Sequence, residues 1–516
     1  MIQDGPLGGG DGRQRPAETS VEKDHMASEH RFLALDIGAE SGRGELVTLR
    51  DGRLEMEEVH RFPNRPVRLA GTLHWDFPFL FAEVLAALKA CAHRGIRLDG
   101  LSVDTWAVDF GLLGGDGDLL GNPVHYRDGR TANIHEYSQR YMSNLDIFRE
   151  TAYEPWAISS LFQLLAMQRA GSPLLKVAET FLNMPDLFHY FLSGVKVSEM
   201  SVANTTNLMD TQCRWSRKVI SRFNLPAGMF APLTAPARVI GPLAGAVVEQ
   251  TGVGEVPVIA TCGHDTSAAL AAVPAAGDDW AFLSCGTWSI LGSPVAAPVA
   301  TPRCLELGFT NEYTIGGWYL ARNILGLWLV QELKRRWDRP GDPWDYARMT
   351  AEAEAAKTDA LVDVAHNSLL APPDMEEALR AVLSAAGQTM PATRGELVRC
   401  VLQSLALEYH WRLESVAELT GKPGRSLYMV GGGTANKLLC QLTADACGIP
   451  VQAGIDQCTA LGNALGQALA LGVLKDAQQI RDVMRGSFAP RLYEPRRGGR
   501  WDDLRARYAA IRRAGG

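Results

Sequence analysis

The chain has 516 residues, 46% of them hydrophobic and 21% charged, a composition of ordinary globular domains that excludes collagen-like, coiled-coil and wholly disordered classes. At roughly 100 to 200 residues per domain, the length predicts two or three domains. With 51 Lys+Arg against 58 Asp+Glu the formal charge is −7, so the surface as a whole repels a phosphate backbone. No nucleic-acid partner is expected, and a small anionic ligand has to be held by particular loops.

Nine cysteines, an odd number without a C-x-x-C pair, fit small core residues in a reducing compartment better than a disulfide framework or a zinc site. Met1 to His30 is polar and Gly-rich with no apolar h-region, and is expected to be a flexible tail rather than a signal peptide or a packed element. The uncharged run Cys458 to Leu474, rich in Ala, Gly and Leu, is too short and too weakly apolar to span a bilayer and reads as a buried core helix. A cytoplasmic protein with no membrane partner is therefore expected.

Order is expected from Phe32, where the apolar run FLALDIG ends in Asp36 and Gly38. ESGRGELVTL, the pair Asp51-Gly52 and LEMEEVHRF follow, alternating around a D-G turn as hairpin strands do. A dinucleotide fold or a P-loop would send the first glycine turn straight into a helix, and neither G-x-G-x-x-G nor G-x-x-x-x-G-K-[ST] occurs. PFLFAEVLAALKACAHRG has helical spacing up to Gly95, and IRLDGLSVDTWAVDFGLL returns to strand residues. VPVIATCGHDTSAALAAV reads as strand, turn and helix, and WAFLSCGTWSILGS as strand, turn and strand. LVRCVLQSLALEYHWRLESVAELTG is a long helix. Leu427 to Val430 reads as a strand, Gly431 to Gly433 as a turn, Ala435 to Cys447 as a helix and Gly448 as its cap. Two halves each built around a glycine turn suggest a duplication, with a tail over 1–30, a first domain over 31–275, a second over 276–516 and a cleft between them.

Asp36, Gly38, Ser41 and Gly42 form either an ordinary hairpin turn or a cradle of backbone N–H groups for phosphate oxygens, with Asp36 facing a metal ion that those oxygens hold. Gly286 and Thr287 offer a second such loop. Gly431 to Gly433 offer a third, open enough for a base or ribose to approach the backbone; three such loops in one chain favour a nucleotide. Asp265, in C-G-H-D-T at the start of a helix, is either an N-cap or the general base of a phosphoryl transfer, where one carboxylate accepts the proton of the attacking hydroxyl. His264 beside it has a supporting role. In D-T-W-A-V-D-F, read as a strand, Asp104 and Trp106 face the same way, forming either a sugar platform beside carboxylates or a half-buried Trp among exposed acids that include Asp109. Asn323, in ARNILGLWLVQELKRR, is expected on a helix about two turns before Gln331, and spacing alone leaves both as possible surface residues.

The blocks LDIGAESGR, HRFPN, HWDF, GLSVDTWAVDFGLL, GNPVHYRDGRT, MPDLFHYFLSG, ATCGHDTSAAL, LSCGTWSILG, RNILGLWLVQELKR, RCVLQSLALEY, VGGGTANKLLCQLTADACGIPV and ALGNALGQ run in that order from about Phe32 to about Gln467. Together they resemble the FGGY family of carbohydrate kinases. DTW-VDF, HDTSAA and RNILGLWL resemble its L-rhamnulose branch. The resemblance implies an α/β fold of two ribonuclease-H-like domains, of the actin, sugar kinase and Hsp70 type, around a central cleft. It implies transfer of a phosphoryl group from ATP, with Mg2+, to the C1 hydroxyl of L-rhamnulose; the alternatives are another ketose such as L-fuculose or xylulose, or an actin-like or Hsp70-like ATPase module. A ketose and ATP are the expected partners of a monomer or small homo-oligomer. Position by position, Ala39, Glu40, Ser41, Gly42 and Arg43 resemble the family's first ATP-phosphate loop, and Thr287, Gln331 and Gly432 match further ATP positions. Asp265 matches the catalytic base, Asp104, Trp106, Ala107, His264, Thr266 and Asn323 match sugar contacts, and Asp36 is placed to face Mg-ATP.

The sequence departs from that pattern in three places. Ala107 stands where similar enzymes have Gly, and its methyl crowds the sugar. Glu40 stands where a small residue is common, and a carboxylate aimed at phosphates weakens binding unless it turns outward or meets the metal. Thr443 stands where some relatives have the first of a cysteine pair around ADAC, so Cys447 is not expected to form a disulfide.

Overall fold

The computed structural model of the protein describes residues 29–496 and 498–514. Strand β1 (Glu29–Ile37) contains an unbroken apolar run, Phe32 to Leu35, because both of its faces are covered, with Phe32 to Ile37 all buried. It pairs antiparallel with β2 (Ser41–Arg50), which pairs with β3 (Arg53–Pro63) across the Asp51-Gly52 turn. The strand begins before Phe32 because Glu29 lies opposite Arg50 and forms an ion pair with it. Glu29 and His30 are therefore strand residues, and the rest of the expected tail falls outside the described residues. Helix α1 (Phe77–His93) is opened by Asp76, whose Oδ1 accepts from Phe79 N at 3.2 Å, and β4 (Gly100–Thr105) returns parallel to β1. After an insertion of helices and two short strand pairs come β5 (Arg238–Pro242), β6 (Pro257–Ala260) and α2 (Asp265–Ala271). The first sheet has the order β5-β6-β4-β1-β2-β3.

The second half lays down β7 (Ala281–Cys285), β8 (Trp288–Val295), β9 (Thr310–Thr314), β10 (Gly317–Leu325), α3 (Trp328–Trp337), α4 (Arg394–Thr420), β11 (Leu427–Val430), α5 (Lys437–Cys447), β12 (Val451–Ile455), α6 (Cys458–Ala470) and β13 (Arg491–Tyr493). Its sheet has the order β9-β10-β8-β7-β11-β12-β13. Without the extra edge strand β9, the two sheets have the same order and the same alternation of antiparallel and parallel pairs. The duplication inferred from the glycine turns is present in the hydrogen bonding.

The run beginning at Cys458 is the core helix that its composition predicts, but it packs on the first half. Helix α6 lies against α2 and the β1 and β4 strands. The approach to α2 requires Gly462, where a Cβ would sit 1.8 Å from the carbonyl oxygen of Ala268. Leu461 and Leu465 join Phe32, Ala268 and Phe282 in one apolar cluster, each leucine contributing about 1.5 to 3 kcal/mol of burial. The halves thus share a core beneath the cleft.

Three local expectations need correction. DTWAVDF is not one strand: β4 stops at Thr105, and Trp106 to Asp109 form a bend in which Val108 takes φ 71°. The buried carboxylate of Asp109 holds that bend, its Oδ2 accepting from Trp75 Nε1 (2.6 Å), Trp106 Nε1 (3.0 Å) and Tyr126 N (3.1 Å), and its Oδ1 from Gln163 Nε2 (2.8 Å). Four such bonds outweigh the roughly 1 to 3 kcal/mol of a β-branched residue at positive φ. Asn323 is not on a helix. It lies in β10 opposite Ile290 of β8, because the aromatic and branched residues before it complete a sheet and α3 starts only at Trp328, past Gly326. The helix expected from Ala435 starts at Lys437, behind a 3-10 turn over Gly432–Ala435, with Asn436 accepting from Leu439 N as its cap.

Candidate active site

Three carboxylates meet where the central strands of the first sheet end. Asp36, next to last in β1, lies opposite Asp104 of β4, and Thr105 N donates to Gly263 O at 2.9 Å, which lays the Gly263–Asp265 loop across the same edge. This is the carboxyl end of parallel strands, the usual ligand-binding edge of an α/β sheet. Asp36 is 9% exposed. Burial pushes its carboxyl up to about 6, the Arg43 guanidinium 3.3 Å away opposes the rise, and Asp265 adds to it. Asp104 is raised well above the ordinary carboxylate range by burial and then by Asp36. Its Oδ2 accepts from Asn463 Nδ2 of α6 at 2.6 Å, and its Oδ1 has no partner among the described residues.

Asp265 opens α2 with its two oxygens in different situations. Oδ1 accepts from Thr266 N (2.5 Å) and Thr266 Oγ1 (3.1 Å) and lies 3.4 Å from His264 Nε2, while Oδ2 has no partner among the described residues. The loop is anchored from behind by buried Glu199, whose Oε2 accepts from Gly263 N at 2.8 Å, and by Ser201, whose Oγ accepts from His264 N at 3.3 Å. Burial pushes Glu199 up to about 7 against the hydrogen bonds it accepts. His264 Nδ1 lies 3.1 Å from Glu312 of β9.

The β1–β2 turn that holds Ala39, Glu40, Ser41, Gly42 and Arg43 borders the same cluster. Gly38 N donates to Ser41 O at 2.9 Å, and Asn64, the last residue of HRFPN, donates its Nδ2 to Gly38 O at 2.9 Å and its N to Glu40 O at 3.0 Å. Glu40 is exposed at the tip. Trp106 is only 6% exposed, its ring centroid 3.9 Å from that of Trp75 and its Nε1 used by Asp109. The acids beside it are not the exposed pair of the simpler reading, since Asp104 and Asp109 are both fully buried. Ala107 is half-buried in the bend, and Asn323 shares a sheet face with Tyr319 and Ala321.

The other predicted positions gather elsewhere. Thr287, Gln331 and Gly432 line one cleft of about 1640 Å³ with Gly286, Gly433 and Asn436, larger than the roughly 300 to 1,000 Å³ of common small-molecule sites. Its floor is built from backbone: Leu327 N donates to Gly286 O at 2.9 Å and Trp328 N to Thr287 O at 3.1 Å, so the β7–β8 turn sits at the start of α3. Among the described residues, none of the first half lines this cleft. The predicted residues thus form two groups, a carboxylate cluster and a backbone-walled cleft, joined through the shared core and the His264–Glu312 contact.

Sequence reasoning missed Glu312, Glu199 and Asn463. Glu199 and Glu312 carry no motif, but Asn463 and Gln467 are the two amide side chains of the uncharged run Cys458 to Leu474 and could have been flagged as buried partners. Among the described residues no group of three or more His, Cys, Asp or Glu side chains is arranged to hold a metal by itself.

Residues 31–272 match the model of the N-terminal domain of the FGGY family of carbohydrate kinases, and residues 281–471 match that of its C-terminal domain. The chain is 37% identical over 477 residues to a rhamnulokinase of Bacteroides thetaiotaomicron, covering 92% of this chain and 98% of that protein. It is 34% identical over 461 residues to a rhamnulokinase of Oceanobacillus iheyensis, covering 88% and 96%. Among solved structures, the gluconate kinase of Lactobacillus acidophilus superposes with a TM-score of 0.79 at 16% identity, over 94% of this chain and 98% of that one.

Proposed function

The chain belongs to the FGGY family of carbohydrate kinases and is a phosphotransferase with an alcohol group as acceptor, and we propose that this alcohol is the C1 hydroxyl of L-rhamnulose, giving L-rhamnulose 1-phosphate and ADP. The observation that carries the reaction is Asp265, with Oδ1 held by Thr266 and His264 and Oδ2 open. Likeness to relatives named rhamnulokinase supports the sugar.

In the proposed mechanism Asp265 Oδ2 accepts the C1 proton as the oxygen attacks the γ-phosphorus, the part a single carboxylate plays in phosphoryl transfer. His264, Thr266 and Asn323 orient the ketose, the unpartnered Oδ1 of Asp104 takes a sugar hydroxyl, and the bend at Trp106 and Ala107 forms the pocket wall. The backbone of Ala39 to Arg43 and the Thr287 turn hold the phosphates, and Gln331 and Gly432 hold the nucleoside. Asp36, whose ionisation is opposed by burial and by Asp265, fits a magnesium ion carried on ATP, and such an ion neutralises charge on the phosphates. In this reading residues 31–275 form the sugar-binding domain and residues 276–516 the nucleotide-binding domain, and the two close on each other to align the phosphates with Asp265. The proposed setting is the cytoplasm, as a monomer or small homo-oligomer. No helix among the described residues is long and apolar enough to cross a membrane.

A coupled assay of ADP release with L-rhamnulose, L-fuculose and L-xylulose tests the reading. L-rhamnulose is expected to have the highest kcat/KM. ATP hydrolysis that no ketose accelerates would replace the kinase reading with that of an ATPase module.

A further inference from the structure

Strand β9, the edge strand of the second sheet with no counterpart in the first, lies along the first half and is bonded to it residue by residue. Thr310 Oγ1 accepts from Glu154 N at 3.1 Å, Asn311 Nδ2 donates to Ala152 O at 2.9 Å, and Thr314 Oγ1 donates to Ser267 O at 2.7 Å. Between them Glu312 is 2% exposed. Its Oε2 accepts from Tyr319 Oη at 2.8 Å and lies 3.1 Å from Nδ1 of His264, whose other nitrogen is 3.4 Å from Asp265 Oδ1. A buried carboxylate left without a compensating partner is strongly destabilising. Here the compensation is the imidazole of the catalytic loop.

We propose that Glu312 is a positioning residue: by accepting the Nδ1–H of His264 from the opposite half, it turns Nε2 toward Asp265 and the sugar. This rests on the kinase reading of the same site. The nitrogen of a histidine that carries the proton is set by the hydrogen bond the ring makes; two groups face Nδ1, the carboxylate of Glu312 at 3.1 Å and the hydroxyl of Ser267 at 3.4 Å, and the nearer, charged acceptor is the stronger partner. Asp265 faces Nε2, Ser267 Oγ lies 3.4 Å from Nδ1 and hydrogen-bonds Tyr319 Oη, and Glu199 is engaged with Gly263 and Ser201. Burial opposes charge on the ring, but Glu312, then Asp265 and Glu199, outweigh it, and the imidazole is held above its ordinary range. The general base of one half is therefore oriented by a residue of the other. A change in how the halves sit is felt at Asp265 through this contact.

Three measurements test the assignment. Ring 15N spectra of the wild-type protein labelled at histidine should show His264 protonated at Nδ1 at neutral pH; an Nδ1 without a proton overturns the proposal whatever the variants do. Glu312→Ala should lower kcat by about 10- to 100-fold, the usual cost of losing a residue that orients a reacting group, with KM for ATP within about twofold. Glu312→Gln, which keeps an acceptor for Nδ1–H, should recover kcat to within about fivefold of wild type. Equal kcat in wild type and Glu312→Ala, or a Glu312→Gln variant as slow as Glu312→Ala at matched melting temperature, overturns the proposal. A wild-type protein inactive on every ketose defeats the kinase reading instead, and the ring spectra still decide the orientation.

Discussion

The two sheets share one strand order, yet their central strands end in opposite chemistry. In the first, β1 and β4 end on Asp36-Ile37 and Asp104-Thr105, and the loop after β6 delivers Asp265. In the second, the equivalent strands β7 and β11 end on Cys285 and Val430, followed by Gly286 and Gly431. One copy presents side-chain carboxylates and the other bare backbone. Under the proposed function this difference would give proton transfer, which needs an ionisable group, to the first copy and base binding, which needs close approach to bare backbone, to the second, with the phosphates held by turns of both.

The sharpest way to break this comparison is at Asp265. Asp265→Asn keeps the shape of the first half and removes the proton acceptor, so kcat should fall by roughly 10² to 10⁴, the usual worth of a general base. Turnover and melting temperature measured together decide it. A variant that melts normally and turns over within a few-fold of wild type would leave Asp265 as a helix cap.

The matching test in the second half is steric. A Cβ at Gly433 would lie 2.4 Å from Cys285 Sγ and 2.8 Å from Cys285 O, so the third loop seats on the second only because Gly433 has no side chain. Gly433→Ala is expected to cost about 1 to 3 kcal/mol of overpacking, which appears as a rise of about 10- to 100-fold in KM for ATP while KM for the ketose stays within about twofold. Equal changes in both constants would mean that the two halves do not divide the substrates.

Asp36 sharpens the contrast through pH. Its carboxyl is raised to about 6, chiefly by burial, from an ordinary value of 3.8. The folded protein therefore holds this proton more tightly than the unfolded chain does. Its contribution favours folding most below 3.8 and is lost as the pH rises through about 6. For the proposed function the sign is reversed, because it is the ionised form that would face Mg-ATP. Affinity for Mg-ATP should drop by about tenfold between pH 7 and 5, and Asp36→Asn should bind weakly at both pH values. A wild-type KM for ATP that is flat over this range would remove Asp36 from the nucleotide site.

What could be read from the sequence was whatever a short stretch of chain decides. The β1–β2–β3 meander follows from one apolar run and Asp51-Gly52, α4 from its spacing together with the Thr393 capping box and Gly421, and Leu427–Val430 from its flanking glycines. What could not be read is decided across the chain. Asp109 breaks the DTWAVDF strand because donors from Trp75, Tyr126 and Gln163 converge on it, and no window around Asp109 contains all three. Asn323 is placed in a strand by Ile290, and Glu312 is tied to the candidate site by His264, both outside their own segments. Likewise Asn463 reaches Asp104 from 359 residues away. Local periodicity cannot encode such pairs, and only the packing of the two halves brings them together.

The smallest expected effect concerns Ala107, on the sugar side. Its backbone is pinned: Asp109 N donates to Ala107 O at 3.0 Å, Val108 N donates to Thr205 Oγ1 at 3.3 Å, and Ser160 Oγ donates to Val108 O at 2.6 Å. A bend held this way does not slide when the side chain changes, so Ala107→Gly subtracts one methyl and little else apart from the roughly 0.5 to 1 kcal/mol of backbone entropy that glycine costs the fold. One methyl in a close-fitting pocket is worth about 1 to 3 kcal/mol between competing substrates. Ala107 is half-buried, which puts the expected change at the low end, about fivefold in the ratio of kcat/KM among L-rhamnulose, L-fuculose and L-xylulose. KM for ATP should not move, because Ala107 is absent from the walls of the nucleotide cleft. An unchanged ranking would mean that the methyl points away from the ketose, and that the wall of the sugar pocket is set by Trp106 and the Asp109 brace alone.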